Sequence, residues 1–84
     1  MATVNATRDA LKELARLPPV IRQRIRGIFK RLESWPDVSG AKPLSGNLAG
    51  WYRIRTSDYR VRFRVKGDTV IVDKIAHRKD VYED

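Results

Sequence analysis

The fold is indicated by one stretch of the chain, residues 51–65, which reads WYRIRTSDYRVRFRV. From Tyr59 to Val65, apolar residues alternate strictly with arginines, so an extended strand has one apolar face and one cationic face. The run from Trp51 to Arg55 repeats this alternation, and the short segment between the two runs is typical of a hairpin connection. The sequence therefore predicts two paired strands whose apolar sides face a core.

A third strand is predicted from Thr69 to Ala76, after a second short connection at residues 66–68. This run is apolar on both faces through four residues: Val70, Ile71, Val72 and Ile75. An extended run that is apolar on both faces suits a central position in a sheet.

Two helical patterns precede the strands. The first covers Thr7 to Leu17, with leucines at helical spacing and with Asn5 or Thr7 as a capping residue. The second runs from Val20 to Ser34 and follows a diproline connection that suits a tight turn. Its apolar stripe consists of Ile21, Ile25, Ile28 and Leu32.

Helices followed by strands predict an α+β fold, with an N-terminal helical hairpin packed on one face of a small antiparallel β-sheet. The 84 residues suit a single domain, residues 1–84. Only Ala2, Thr3 and Val4 stand before the first helix, so an additional N-terminal strand is expected to be short or missing. Residues 36–50 contain glycines and prolines without periodicity and are expected to form a connection.

Composition excludes several classes of function. The chain has no cysteine and one histidine, so disulfide frameworks and cysteine- or multi-histidine zinc sites are excluded. No stretch approaches the roughly 20 apolar residues of a membrane span, and the first residues lack the pattern of a signal peptide. We therefore expect a cytoplasmic protein. The net charge of +8 suits a polyanion or an acidic protein as a partner.

The cationic face of the predicted sheet concentrates this charge. Its members are Arg53, Arg55, Arg60, Arg62 and Arg64. Guanidinium groups on neighbouring strands repel one another, and a sequence selected for stability alone would include acidic residues among them. Two interpretations remain open: an exposed sheet face made soluble by arginine, or a surface for phosphates, which the planar guanidinium binds with two parallel hydrogen bonds.

Three segments resemble the RelE/ParE superfamily of toxins, namely residues 42–55, 58–63 and 75–82, and the helical segment around residues 14–18 is also similar. The resemblance implies the toxin of a type II toxin–antitoxin pair. RelE-like members enter the ribosomal A site and cleave mRNA there without a metal or other cofactor, whereas ParE-like members poison DNA gyrase. A cognate antitoxin, the ribosome and mRNA are the partners that the first activity implies. A gyrase inhibitor and a non-catalytic RNA- or antitoxin-binding module remain as alternatives.

The resemblance also assigns a candidate catalytic set, which comprises Arg53, Arg55, Arg60, His77, Arg78 and Tyr82. The arginines match positions that stabilise negative charge on the phosphorane. Tyr82 matches a C-terminal tyrosine that could stack on a base or place its hydroxyl near the leaving oxygen. Further RNA contacts are expected from Lys42, Arg62, Arg64 and Lys79.

The general base is harder to assign. Some RelE-like toxins carry lysines at the positions of Arg53 and Arg55, and arginine does not give up its proton at accessible pH. His77 is the candidate base or acid because imidazole exchanges protons near neutral pH, although it could simply end its strand. Trp51 and Tyr52 are interpreted mainly as packing residues, with Trp51 also a candidate for stacking. Asp58 and Asp80 are expected to hold turns or neighbouring arginines.

Overall fold

A computed structural model describes residues 2–78. Two helices precede most of a five-stranded sheet whose strand order is β1-β5-β4-β3-β2. The elements are β1 (Thr3–Ala6), α1 (Arg8–Ala15), α2 (Pro19–Leu32), β2 (Lys42–Pro43), a short 3-10 helix (Gly46–Leu48), β3 (Trp51–Thr56), β4 (Tyr59–Lys66) and β5 (Thr69–His77). Within the described residues, no helix has the length and apolar character needed to cross a membrane.

Both predicted helices are present, and each is slightly shorter than its periodic pattern. Thr7 caps α1, because its hydroxyl oxygen accepts the backbone N–H of Ala10 at 3.2 Å. Pro19 is the first residue of α2, where a missing N–H removes no helical hydrogen bond. Helix α1 ends at Ala15, ahead of the predicted end at Leu17 and of the diproline, whereas α2 begins at the diproline as predicted.

The α+β class is confirmed, but the wholly antiparallel sheet is wrong. β1 runs parallel to β5, with Thr3 opposite Thr69 and Ala6 opposite Val72, so the sheet is mixed. A parallel pair needs a long crossover connection, and here most of the chain, including both helices, lies between the two strands. The prediction that β5 is central is confirmed, because β5 lies between β1 and β4.

The core lies between the helices and one face of the sheet. Val61 and Phe63 on β4 are fully buried, as expected for the apolar face of that strand. Phe63 stacks on Tyr52 with ring centroids 5.5 Å apart and meets Trp35 edge-on at 5.3 Å. Tyr52 is therefore a packing residue, as predicted. The other buried residues of the core cluster are Ala10, Leu14, Ile25, Ile28, Leu32, Ile54, Val70, Val72 and Ile75.

Helix α1 protects the sheet edge that β1 leaves uncovered. β1 pairs with β5 only as far as Val72, and beyond that point the Glu13 carboxylate accepts the backbone N–H of Ile75 at 2.8 Å. The second carboxylate oxygen of Glu13 lies 3.5 Å from the Lys74 ammonium. A side chain on a helix therefore satisfies a backbone donor that would otherwise face an open edge.

We expect Glu13→Ala to lower the free energy of unfolding by about 1–2 kcal/mol, because it removes a charged acceptor from a partly buried backbone donor. Glu13→Gln should lose less, since an amide oxygen can accept the same hydrogen bond. Lys12→Ala, an exposed change on the same helix, is the matched control and should stay within about 0.5 kcal/mol. Urea unfolding measures all three variants, and equal effects of Glu13→Ala and Lys12→Ala would contradict the role of Glu13.

Candidate nucleic-acid interface

A row of four cations crosses the sheet on the face away from the helices. The register places Lys42 opposite Arg53, Arg53 opposite Arg62, and Arg62 opposite Lys74. Residues directly opposite on neighbouring strands point to the same face, so these four side chains form a continuous line, here called the cation row. At about 4.8 Å between strands, the row extends about 14 Å.

Three arginines gather at the end of the sheet beside the Ser57–Asp58 turn. Arg55 and Arg60 lie directly opposite each other on β3 and β4. Arg78 follows β5 at this end, where its backbone N–H donates to the Asp58 carbonyl and its guanidinium Nε lies 3.8 Å from the Asp58 carboxylate. Asp58 therefore holds a neighbouring arginine, as expected. Arg55, Arg60 and Arg78 are called the arginine end.

Trp51 lies on the cationic face as well. It stands opposite Arg64, and the guanidinium carbons of Arg64 and Arg62 lie 5.4 and 4.9 Å from the centroid of its ring. Trp51 shares the alternation phase of Arg53 and Arg55, so the sequence pattern already places it on this face. The structure does not include Trp51 among the residues that pack against the core, so its interpretation mainly as a packing residue is wrong.

Among the strands of the described residues, only β5 carries an acidic side chain, Asp73, whereas Asp58 lies in the turn beside Arg78. Strands β2, β3 and β4 contain no Asp or Glu in residues 42–43, 51–56 and 59–66. On β5, the Asp73 carboxylate binds Arg62 through two hydrogen bonds, from Nε at 3.0 Å and from Nη2 at 2.6 Å. Lys74 lies near Glu13. The β5 side of the cation row is thus partly neutralised, and positive charge is concentrated over β2, β3 and β4.

His77 lies on the other side of the sheet from the arginines. It stands opposite Tyr59, and the two rings meet edge-on with centroids 5.0 Å apart. Tyr59 belongs to the apolar face that the helices cover, whereas Ala76 is the residue opposite Arg60. The structure therefore does not bring the predicted base together with Arg53, Arg55 and Arg60.

The remaining predicted site residues divide into two groups. Lys42, Arg62 and Arg64 share the cationic face with the candidate catalytic arginines of β3 and β4. Lys79, Asp80 and Tyr82 lie outside the described residues, so their predicted roles stay predictions. In residues 2–78, no group of three or more His, Asp or Glu side chains is placed to hold a metal ion.

Residues 4–82 match the family model described as "ParE toxin of type II toxin-antitoxin system, parDE". The chain belongs to this toxin family. The toxin is 33% identical over 76 residues to Toxin RelE3 of Methanocaldococcus jannaschii, an alignment covering 87% of this chain and 86% of that protein. It is 34% identical over 83 residues to Toxin RelG of Mycobacterium tuberculosis, covering 95% of this chain and 94% of that protein.

The fold of the toxin is similar to that in the crystal structure of the toxin–antitoxin complex RelBE2 from Mycobacterium tuberculosis. The TM-score is 0.80 at 30% identity, with 92% of this chain and 98% of that chain covered. The expected membership in the RelE/ParE superfamily of type II toxins is therefore confirmed. The family description carries the ParE name, and the relatives carry RelE names.

We expect Arg55→Gln to leave the stability of the toxin unchanged or to raise it by up to about 1 kcal/mol, because it removes a like-charge pair directly across two strands. The gain should shrink as salt screens the repulsion. Arg26→Gln removes the same charge from an exposed position on α2 and serves as the control. Urea unfolding at low and high salt gives both values, and a large loss of stability in Arg55→Gln would contradict the repulsion.

Proposed function

We propose that this toxin is a ribosome-dependent endoribonuclease that cuts mRNA in the ribosomal A site without a metal. One observation carries the proposal: the cation row and the Arg55–Arg60 pair share a sheet face whose strands β2, β3 and β4 contain no acidic residue. Neighbouring cations on such a face repel one another, a bound polyanion relieves this repulsion, and RNA supplies a line of phosphates.

The reaction suits such a surface. The 2′-hydroxyl of one nucleotide loses a proton, and its oxygen attacks the adjacent phosphorus. The bond from phosphorus to the 5′-oxygen breaks, and that oxygen gains a proton. The products are a 2′,3′-cyclic phosphate and a 5′-hydroxyl. Negative charge grows on the phosphorane in the transition state, so cations already in position supply a large part of the rate enhancement.

The proposed roles follow the geometry of the cationic face. Arg55 and Arg60 hold the scissile phosphate, and Arg53 is the next residue of the same face along β3. Arg78 approaches from the turn at the same end of the sheet. Contacts to phosphates along the RNA backbone are proposed for Lys42, Arg62 and Arg64, and for Lys79 beyond the described residues.

The cationic face supplies few side chains that could transfer a proton. Arginine does not act as a base, and the His77 ring packs against Tyr59 on the helix side of the sheet. We therefore propose that His77 contributes less than the arginines, and that Tyr82 stacks on a base or lies near the leaving oxygen. The ribosome would hold the mRNA in line for attack, and positioning of this kind can contribute about 7 kcal/mol or more.

A cognate antitoxin is the proposed protein partner. The relative from Mycobacterium tuberculosis with the same fold was crystallised as a toxin–antitoxin complex. The net charge of +8 favours an acidic segment that folds as it binds. Because the substrate lies on translating ribosomes, the proposed site of action is the cytoplasm.

Inhibition of DNA gyrase is the second candidate function, because the matching family model carries the ParE name. RNA recovered after brief induction separates the two candidates. An endoribonuclease leaves cuts inside translated reading frames, whereas a gyrase poison leaves mRNA intact and damages DNA. If the RNA is intact and the DNA is undamaged, the remaining candidate is a binding module without catalytic activity.

We expect Arg60→Ala and Arg78→Ala to lower single-turnover cleavage on programmed ribosomes by about two to three orders of magnitude, since each removes a cation facing the phosphorane. His77→Ala should cost less, because its ring lies on the other face of the sheet. Arg26→Gln controls for the loss of one positive charge, and circular dichroism verifies folding. Cleavage at the normal rate by folded Arg60→Ala would remove the arginines from the mechanism and favour gyrase inhibition.

We also expect the purified toxin to cut naked RNA poorly and mRNA in programmed ribosomes efficiently, because the small domain supplies charge stabilisation but little positioning. The same mRNA is presented free in chelator and bound to ribosomes in magnesium, and the products are resolved by primer extension. Rapid, selective cleavage of the free RNA would contradict ribosome dependence.

A further inference from the structure

We infer that Trp51, together with Arg62 and Arg64, forms a stacking site for an unpaired base of the RNA. This inference rests on the proposed function to the extent that RNA is the ligand. The site lies on the same face as the cation row but has a different chemical character.

The sheet face contains a second row across the strands, parallel to the cation row. Trp51 on β3 is opposite Arg64 on β4, Arg64 is opposite Ile71 on β5, and Ile71 is opposite Asn5 on β1. We call it the base row. The cation row offers only charged ends, whereas the base row offers an indole, a guanidinium, an aliphatic side chain and an amide. These groups suit a flat base with polar edges, and the cation row suits phosphates.

Trp51 is not explained by the core. The partly buried hydrophobic residues that pack against the core cluster include Trp35 and Tyr52, but Trp51 is not one of them. Its side chain is half-buried, and the groups beside its ring are guanidiniums of its own face. A large aromatic ring on the open face of a sheet is a common feature of surfaces that bind single-stranded nucleic acid.

The two arginines beside the ring differ in how firmly they are held. The Arg62 guanidinium is bound by both oxygens of Asp73, and its side chain retains only 21% of its exposure. Arg64 is exposed. A base can therefore take the place of the Arg64 guanidinium on the indole ring while Arg62 stays in position. The displaced Arg64 remains close enough to bind an adjacent phosphate.

The stacking site is separated from the proposed scissile phosphate. Trp51 and Arg55 are four residues apart on β3, which corresponds to about 13 Å along an extended strand. A base on Trp51 thus belongs to a different nucleotide from the one that is attacked. We therefore assign Trp51 to RNA affinity and base preference, and not to the chemical step.

The test uses the fluorescence of the toxin, which contains two tryptophans. A short, end-labelled oligoribonucleotide with methylated 2′-hydroxyls, which cannot be cleaved, is titrated with the wild type, Trp51→Leu and Trp51→Phe. The anisotropy of the label gives the affinity of each protein, because the variants lack the tryptophan whose quenching reports on the site. We expect quenching in the wild type and an affinity for Trp51→Leu lower by roughly five- to a hundredfold, the range measured for a stacked base. Trp51→Phe should retain part of the affinity, since its ring can still stack.

Two controls make the test specific to a base. Val20→Ala, an exposed apolar change at the start of α2, should leave the affinity unchanged. A series of oligonucleotides, each with one abasic position, should contain a member that binds the wild type as weakly as the intact RNA binds Trp51→Leu. That member should lose nothing further when Trp51 is replaced.

The outcomes separate this inference from the proposed function. On programmed ribosomes, Trp51→Leu should raise the toxin concentration needed for half-maximal cleavage and leave the rate at saturation near the wild-type value. Unchanged affinity in folded Trp51→Leu, no effect of any abasic position, or no quenching at millimolar RNA would each overturn the stacking site while leaving cleavage intact. Stacking without any cleavage of ribosomal mRNA would instead overturn the endoribonuclease and retain the base site.

Discussion

The structure depends on the burial of Val61 and Phe63 beneath the two helices. A strand has a side-chain period of two, so burial of these residues turns Arg60, Arg62 and Arg64 to the opposite face. The hydrophobic core therefore determines the position of the cations, and no separate interaction is needed to expose them. A register shift of one residue in β4 would reverse both faces together, which makes the cationic surface as robust as the core.

The sequence predicts well where its pattern is long and strong. Helices α1 and α2, strands β3, β4 and β5, and the two faces of the sheet all follow from periodicity over several residues. β2 escapes prediction, and β1 is predicted only as short or missing, because two and four residues are too few to display a period. β1 is held in place by pairing with a distant strand. Contacts between residues far apart in the chain leave no local pattern.

The candidate site shows the same division. The alternation alone places Arg53, Arg55 and Arg60 on one face, and it includes Trp51 in the same phase. The alternation does not reveal the acidic partners: Asp73 binds Arg62 across strands, and Glu13 reaches Lys74 from a helix. Nor does it place His77 correctly, because an irregularity in β5 changes the phase of the strand before His77 is reached. We propose that this surface binds one polynucleotide, with phosphates on the cation row and an unpaired base on the base row.

The irregularity in β5 determines how the toxin tolerates a change in the length of this strand. Opposite Arg62 and Phe63 the register shifts by one residue, so Val70 and Val72 are buried before the shift and Ile75 after it, at an odd spacing. Asp73 is the extra residue, and the bulge that accommodates it keeps the apolar side chains of both halves of β5 in the core. Deletion of Asp73 would leave a regular ladder, with Val72 still opposite Phe63 and Lys74 still opposite Arg62. The core would be kept, and the carboxylate that binds Arg62 would be lost. The extra residue therefore changes the charge of the cationic face and not the core, so a related toxin of this shape can lack it and still bury the same side of β5.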